Sequence, residues 1–175
     1  KTKELLQERE AMDVINNVII PALNRVGKDY ETNKIFLPQL IQSAETTKKA
    51  FEVVKSTFRV DSQSKGPIMM CTVEGDIHDI GKNIVKVVLE SYGYQVIDLG
   101  KDVKVEKVVE AYHKYQPKMI GLSALMTTTV VNMKKTIEAL HMVNCQCPIW
   151  VGGAVLTQEI ADEIGADYYS EDAMA

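Results

Sequence analysis

From residue 67 onward the chain alternates short aliphatic runs with helical stretches, and this alternation constrains its fold more than any other feature. The runs are Ile68–Val73, Gln95–Leu99, Met119–Ser123, Ile149–Val151 and Asp167–Tyr169. Between them lie stretches with helical character at Lys82–Tyr92, Val105–Tyr115, Val130–Met142 and Thr157–Ile164. Strand–helix alternation predicts a parallel sheet covered by helices on both faces. Five such strands predict an α/β, flavodoxin-like (Rossmann-like) sheet of order 2-1-3-4-5. The chain stops just after the fifth run, so the final covering helix is expected to be missing.

The first third reads differently. Val14, Ile15, Val18, Ile19 and Leu23 recur at helical spacing. A second helix is expected to start at "LPQL", because proline suits a first helical turn and Pro38 stands there. Leu40, Ile41, Ala44, Phe51, Val54 and Phe58 give this helix a broad apolar face. The polar segment "GKDYETNKI", Gly27 to Ile35, reads as the loop between them. Two helices of this size cannot enclose a good core alone. The expected organisation is a helical cap over 1–60, lacking its N-terminal part, a linker "DSQSKGP" over 61–67 and an α/β domain over 68–175. With no Met at its start, the chain is read as a piece of a longer one.

Composition narrows the function. The chain is 46% hydrophobic, enough for an aliphatic core, and its net charge of -4 argues against a nucleic-acid surface. No apolar run approaches the roughly 18 residues of a membrane span. The charged start "KTKELLQERE" has no signal-peptide apolar region, and three cysteines suit a reduced, cytoplasmic protein.

In sheets of this kind ligands sit beyond the carboxyl ends of the strands. The unusual residues gather there: Gly75-Asp76-Ile77-His78-Asp79-Ile80-Gly81 after the first run, "SALMTTT" after the third, "GGA" after the fourth and "YSEDA" after the fifth. Neither a P-loop nor G-x-G-x-x-G is present. His78 stands two residues after Asp76, a spacing that lets the carboxylate hold one ring nitrogen while the other faces outward. That pair suits a general base or a metal ligand, against the plainer reading of a surface loop histidine. No G-x-S-x-G elbow supplies a nucleophile, His113 and His141 fall in helices, and Cys145-x-Cys147 lies at the opposite end of the sheet. The pattern is one histidine for a metal that brings its other ligands with it.

Asp76-x-His78-x-x-Gly81, Ser123-x-Leu125 and Gly152-Gly153 together resemble the cobalamin-binding signature shared by methionine synthases, corrinoid methyltransferase proteins and some mutases. "GKDYETNKIFLPQL" resembles the helical cap of the methyl-carrying members, and "SALMTTTVVNM" with "GGAVLTQEIADEIGADYYSEDAM" is most similar to the cobalamin module of cobalamin-dependent methionine synthase. The resemblance implies cobalamin, as methylcobalamin, bound with its own base removed and His78 as the lower axial ligand of cobalt. It implies a relay of His78, Asp76 and Thr129, where the family's methionine synthases have serine at the last position. Thr129 also reads as a helix N-cap. Further cofactor contacts implied are Gly75, Asp76, Ile77, His78, Asp79, Gly81, Ser123, Leu125, Thr127, Gly152, Gly153 and Ala173. From the cap come Tyr30 and Leu37, over the upper face, and Asn16, where many relatives carry a carboxylate.

The implied activity is that of a methyltransferase module: a carrier of methyl from methyltetrahydrofolate to homocysteine that does not turn over alone. Its implied partners are folate- and homocysteine-binding modules and a reductive reactivation partner. The alternative is a stand-alone corrinoid protein of a methanol, methylamine or O-demethylase system. A further alternative is a cobalamin-dependent sensor, which would need a DNA-binding module that this sequence does not contain.

Overall fold

The computed structural model describes residues 1–57 and 65–171. The chain divides into two compact units, Lys1–Arg59 and Val60–Ala175. Among the described residues no helix is long and apolar enough to cross a membrane.

The second unit carries five strands: β1 (Pro67–Thr72), β2 (Gln95–Asp98), β3 (Met119–Ser123), β4 (Ile149–Gly152) and β5 (Tyr168–Ser170). They form one parallel sheet in the order β2-β1-β3-β4-β5, as the alternation predicts. Side chains alternate across it because a strand repeats every two residues. Met69, Cys71 and Val73 enter the larger core with Ile120, Leu122, Ile149 and Val151. Ile68 and Met70 point to the other face, against Val85 and Leu89.

Four helices follow the first four strands in turn: one over Ile80–Ser91, one over Val105–Tyr115, one over Thr127–Met142 and one over Gln158–Glu163. The first covers the Ile68/Met70 face. The others contribute Val108 and Tyr112, Met133 and Ile137, and Ala161 to the larger core. Burial in that core pushes the Cys71 thiol up to about 12, which leaves it an inert packing residue.

Among its described residues, every element of the first unit is a helix. In chain order its helices are α1 (Thr2–Glu8), α2 (Ala11–Val14), a π-helical turn (Ile15–Ile19), α3 (Ile20–Glu31) and α4 (Leu37–Lys55). The helices of the second unit are accordingly α5 to α8. Two features depart from the sequence expectation. Gly27 to Glu31, expected in a loop, continue α3. A polar stretch without proline does not stop a helix, and the turn comes only at Asn33, whose φ of 55° is left-handed. The π turn was not expected: the Ile20 N–H reaches the Ile15 carbonyl, one residue further than in an α-helix. Pro21 explains it, because proline has no N–H to return to Asn17, and wider turns occur where that ladder is interrupted.

At α4 the expected start is observed. Pro38 lies in the first turn, and the Gln39 side chain accepts the Phe36 N–H at 2.7 Å. Phe51 and Val54 are buried, whereas Ile41, expected on the apolar face, is exposed. Phe58, and residues 61–64 of the expected linker, lie outside the described residues; Pro67 opens β1.

Candidate functional site

The site grows from the carboxyl end of β1. Just past that strand, the Val73 N–H donates to the Ser123 carbonyl at 3.1 Å, carrying the β1–β3 pairing one residue further. The chain then turns: the Asp76 N–H donates to the Val73 carbonyl at 3.1 Å, and Gly75 takes a φ of +83° at the third position. A turn with positive φ at that position selects glycine. Residues 76–79 form the loop, and α5 starts at Ile80.

Asp76 is fully buried, and its carboxylate is saturated with donors. Oδ1 accepts the His78 N–H at 3.0 Å and lies 2.8 Å from the His78 ring nitrogen Nδ1. Oδ2 accepts the Leu125 N–H at 2.7 Å, the Met126 N–H at 3.3 Å and the Thr129 hydroxyl at 2.9 Å. Burial by itself raises a carboxyl's pKa. The N–H groups of His78 and Leu125, with the His78 ring and the Thr129 hydroxyl, outweigh it and hold Asp76 at about 2. At neutral pH Asp76 is therefore a carboxylate that can only accept, so the proton between it and the ring belongs to His78 Nδ1. The lone pair of Nε2 then faces outward, on a side chain that is 46% exposed.

Thr129 is not an N-cap. Helix α7 starts at Thr127, with Met126 at the cap position, so Thr129 lies inside the first turn. From there its buried hydroxyl reaches both Asp76 and the Met126 carbonyl, the latter at 2.8 Å.

The other expected residues fall into three groups. Gly75, Ile77, Asp79, Gly81, Leu125 and Thr127 stand with His78 at the ends of β1 and β3, and Ile77 and Leu125 are large apolar side chains left exposed. Ser123 ends β3, and its hydroxyl pairs with that of buried Thr72 at 2.9 Å. Gly152 ends β4, and Gly153 follows with φ +144°, where a Cβ would come within 1.8 Å of the Ala124 carbonyl oxygen. Asn16, Tyr30 and Leu37 are exposed residues of the helical unit: Asn16 on the π turn, Tyr30 in the last turn of α3 and Leu37 in the first turn of α4. Ala173 lies outside the described residues.

Several contributors are not legible in the sequence. The backbone donors of Leu125 and Met126 leave no side-chain signal at all. The loop after β2, to which the sequence reading assigns no site residue, supplies Asp102, whose Oδ1 accepts the Gly75 N–H at 2.7 Å. Asn132 of α7 donates to the Glu74 carbonyl at 3.0 Å. Lys82, almost fully buried, reaches Asp98 at 2.6 Å and is joined there by Lys86 at 3.0 Å. That ion pair ties the first turn of α5 to the end of β2. Although burial works to raise the pKa of Asp98, the hydrogen bonds from Lys82, Gly100 and Lys86 lower it.

The donor set fits a metal of a particular kind. Among the described residues no three His, Cys, Asp or Glu side chains converge to hold a bare ion. A single imidazole, oriented from behind by a buried carboxylate, suits a metal that arrives already chelated. Gly81 adds to the fit. It is an exposed residue of the first turn of α5, and a Cβ there would meet nothing within 4 Å, so no packing among the described residues requires glycine.

Comparison with known proteins points the same way. Residues 66–175 match the B12 binding domain family, and residues 2–55 match a second B12 binding domain family. Dimethylamine corrinoid protein 2 of Methanosarcina mazei is 39% identical over 95% of this chain and 80% of its own length. The structure of the monomethylamine corrinoid protein of Methanosarcina barkeri superposes with a TM-score of 0.88 at 34% identity, covering 99% of this chain and 84% of that one. A chain of the methanol:cobalamin methyltransferase complex of Methanosarcina barkeri superposes at 0.62 with 33% identity, over 97% and 68%. A histidine presented by a buried carboxylate at the strand ends, on a chain with these relatives, makes this protein a member of the B12-binding corrinoid-protein family, with cobalamin as its cofactor.

Proposed function

We propose that this chain is the corrinoid subunit of a methylamine-type methyl-transfer system, in which His78 Nε2 would be the protein's ligand to the cobalt of cobalamin. The observation that carries the ligation is the 2.8 Å contact between His78 Nδ1 and buried Asp76, which leaves Nε2 as the presented donor. Two of the relatives named above favour amine substrates over the methyltetrahydrofolate-to-homocysteine reading, because they are methylamine corrinoid proteins; the third belongs to a methanol system. The partner we propose is therefore a separate methyltransferase protein that docks on the loaded chain, as the methanol:cobalamin complex exemplifies for that system.

Bound cobalamin supplies a cobalt centre that accepts a methyl group from one substrate and yields it to another. The chain supplies the setting. Asp76 keeps the proton on Nδ1, fixes the ring plane and places negative charge behind the imidazole, as the carboxylate partners of metal-binding histidines do. Thr129 and the N–H groups of Leu125 and Met126 compensate the buried charge of Asp76 and hold its rotamer. Exposed Ile77 and Leu125 offer apolar surface to a large ring, and Gly81 leaves it room. Ser123, Gly152 and Gly153, at the ends of β3 and β4, would hold the nucleotide tail.

The test is to load the protein with cobalamin and supply isotopically labelled mono-, di- or trimethylamine with the matching methyltransferase. Label retained by the protein in one amine arm, and absent with labelled methyltetrahydrofolate and its methyltransferase, is the expected result. Label from methyltetrahydrofolate alone would return the assignment to methionine synthesis, and label from methanol alone would assign the methanol system.

A further inference from the structure

The loop that carries His78 is gripped from outside by a residue that plays no part in the relay. The Asp102 carboxylate accepts the Gly75 N–H at 2.7 Å, and the Asp102 backbone N–H donates to the Asp76 carbonyl at 2.9 Å. One residue, 27 positions away in sequence, thus clips both ends of the Gly75–Asp76 segment. We propose that Asp102 is a positioning residue for the axial imidazole: its two hydrogen bonds set the turn that aims His78. The proposal rests on the reading of His78 as the cobalt ligand.

Three observations support it. The first is backbone strain. Asp102 has a φ of 52°, in the left-handed region that most side chains avoid. Among the described residues, the other non-glycine positions with positive φ each follow the end of a helix: Asn33 after α3, Gln116 after α6 and Asn144 after α7. Helix termination accounts for those three. Asp102 lies between β2 and α6, where no helix end requires it, and strain maintained at such a place points to function.

The second is rigidity at the root. Val103, next in the chain, donates to the Thr72 carbonyl at 3.1 Å and forms an isolated parallel bridge with Val73, and both valines are buried. The clip is therefore anchored in the sheet and does not float with the surface.

The third is what the clip restrains. His78 is bound to Asp76 Oδ1 through both its backbone N–H and its ring, so the two residues move as one body. The soft point between that body and β1 is Gly75, the residue type with the widest backbone freedom. The backbone around it is held group by group: Val73 N–H by Ser123, Glu74 C=O by Asn132, Gly75 N–H and Asp76 C=O by Asp102. Removing the Asp102 acceptor leaves the Gly75 N–H unheld and loosens the turn from the β1 side, so the aim of the imidazole rests on the contacts that remain: Asp76 Oδ2 with Leu125, Met126 and Thr129, the Asp76 N–H with the Val73 carbonyl, and the Thr72 hydroxyl with the His78 carbonyl.

The experiment compares Asp102→Gly and Asp102→Asn in the full chain. Glycine tolerates the left-handed φ and deletes the acceptor, whereas asparagine tolerates φ and keeps one. The readout is electron paramagnetic resonance of the Co(II) protein made with nitrogen-labelled histidine, scored as the ratio of histidine-coordinated to uncoordinated cobalt. Asp102→Gly is expected to lower that ratio about threefold to tenfold, the equivalent of one lost hydrogen bond, and Asp102→Asn to restore it. A ratio equal to wild type in Asp102→Gly, with histidine coupling present in both, overturns the proposal. Should Asp102→Gly fail to fold, Asn132→Ala loosens the same turn at Glu74 and must lower the ratio in the same direction; an unchanged ratio there overturns it too.

If wild type itself shows no histidine coupling, the ligation reading has failed separately. Asp102 is then judged on the cobalamin-free protein by the imidazole nitrogen resonances of His78. Those resonances are expected to shift or broaden in Asp102→Gly and return in Asp102→Asn. Identical spectra in wild type and Asp102→Gly would reject the positioning role.

Discussion

At the scale of single residues the site is an exercise in keeping one buried charge. Asp76 has no exposure, yet it stays ionised because N–H and hydroxyl donors converge on it from β3–α7 and from its own loop. Its folded pKa of about 2 lies below the ordinary 3.8, so the interaction stabilises the fold fully above about pH 4 and is lost as pH falls through 2. The corresponding contribution at neutral pH is about 2 kcal/mol. Asp76→Asn is therefore expected to lower stability at pH 7 by that order, with the difference from wild type shrinking between pH 4 and pH 2; denaturant titrations at several pH values measure it. In the loaded protein the same change removes the charge behind His78 and is expected to weaken cobalamin binding about 10- to 100-fold. His78→Ala is expected to cost at least as much and to abolish histidine coupling to Co(II). Retained coupling in that variant would mean that another histidine ligates.

At the scale of elements, two glycines separate what the fold needs from what a ligand needs. Gly153 lets the β4–α8 turn pass against the β3–α7 loop, with no room for a Cβ beside the Ala124 carbonyl. Gly153→Ala is expected to cost about 2–3 kcal/mol even without cobalamin, as strain at a special φ combined with overpacking does. Gly81 stands in open space in the first turn of α5. Gly81→Ala is expected to leave the cobalamin-free protein equally stable or more so, by up to about 1 kcal/mol, because alanine is the better helix former. The same variant is expected to take up cobalamin more weakly, since the methyl group occupies the space proposed for the corrin. Thermal melts and absorbance titrations on the pair distinguish the two roles; unimpaired uptake by Gly81→Ala would remove that glycine from the cofactor's surroundings.

At the scale of the whole molecule the proposed role is that of a carrier: one imidazole is held from behind by a buried carboxylate, and among the described residues no three His, Cys, Asp or Glu side chains converge to hold a bare ion. Binding to the folded state alone must raise stability by mass action, by about 2.7 kcal/mol at a free cobalamin concentration one hundred times Kd. Calorimetry across a cobalamin series checks this, and a midpoint independent of cobalamin concentration would count against specific uptake. Methyl transfer by the loaded chain is expected only when a methyltransferase partner is added, at rates above the free-cofactor background.

What the sequence determined by itself is what periodicity and local spacing can encode. The alternation of five short runs with helical stretches pointed to the parallel sheet, and the flavodoxin-like pattern of such sheets to its order; the signal is plainest at β1 and β3, whose buried residues read as nearly unbroken apolar segments. The i, i+2 spacing of Asp76 and His78 brought carboxylate and ring together, because two residues suffice for that contact in a turn. The tertiary structure alone decided what depends on residues far apart. The backbone donors of Leu125 and Met126 meet Asp76 only because β1 and β3 are neighbours. Asp102 reaches Gly75 only because the chain leaving β2 returns beside the end of β1. The start of α7 moved three residues earlier than expected, to Thr127, and that shift sets Thr129 inside the first turn, where its hydroxyl faces Asp76. A backbone N–H carries no residue identity, and a contact across 49 positions has no period, so neither can be read along the chain.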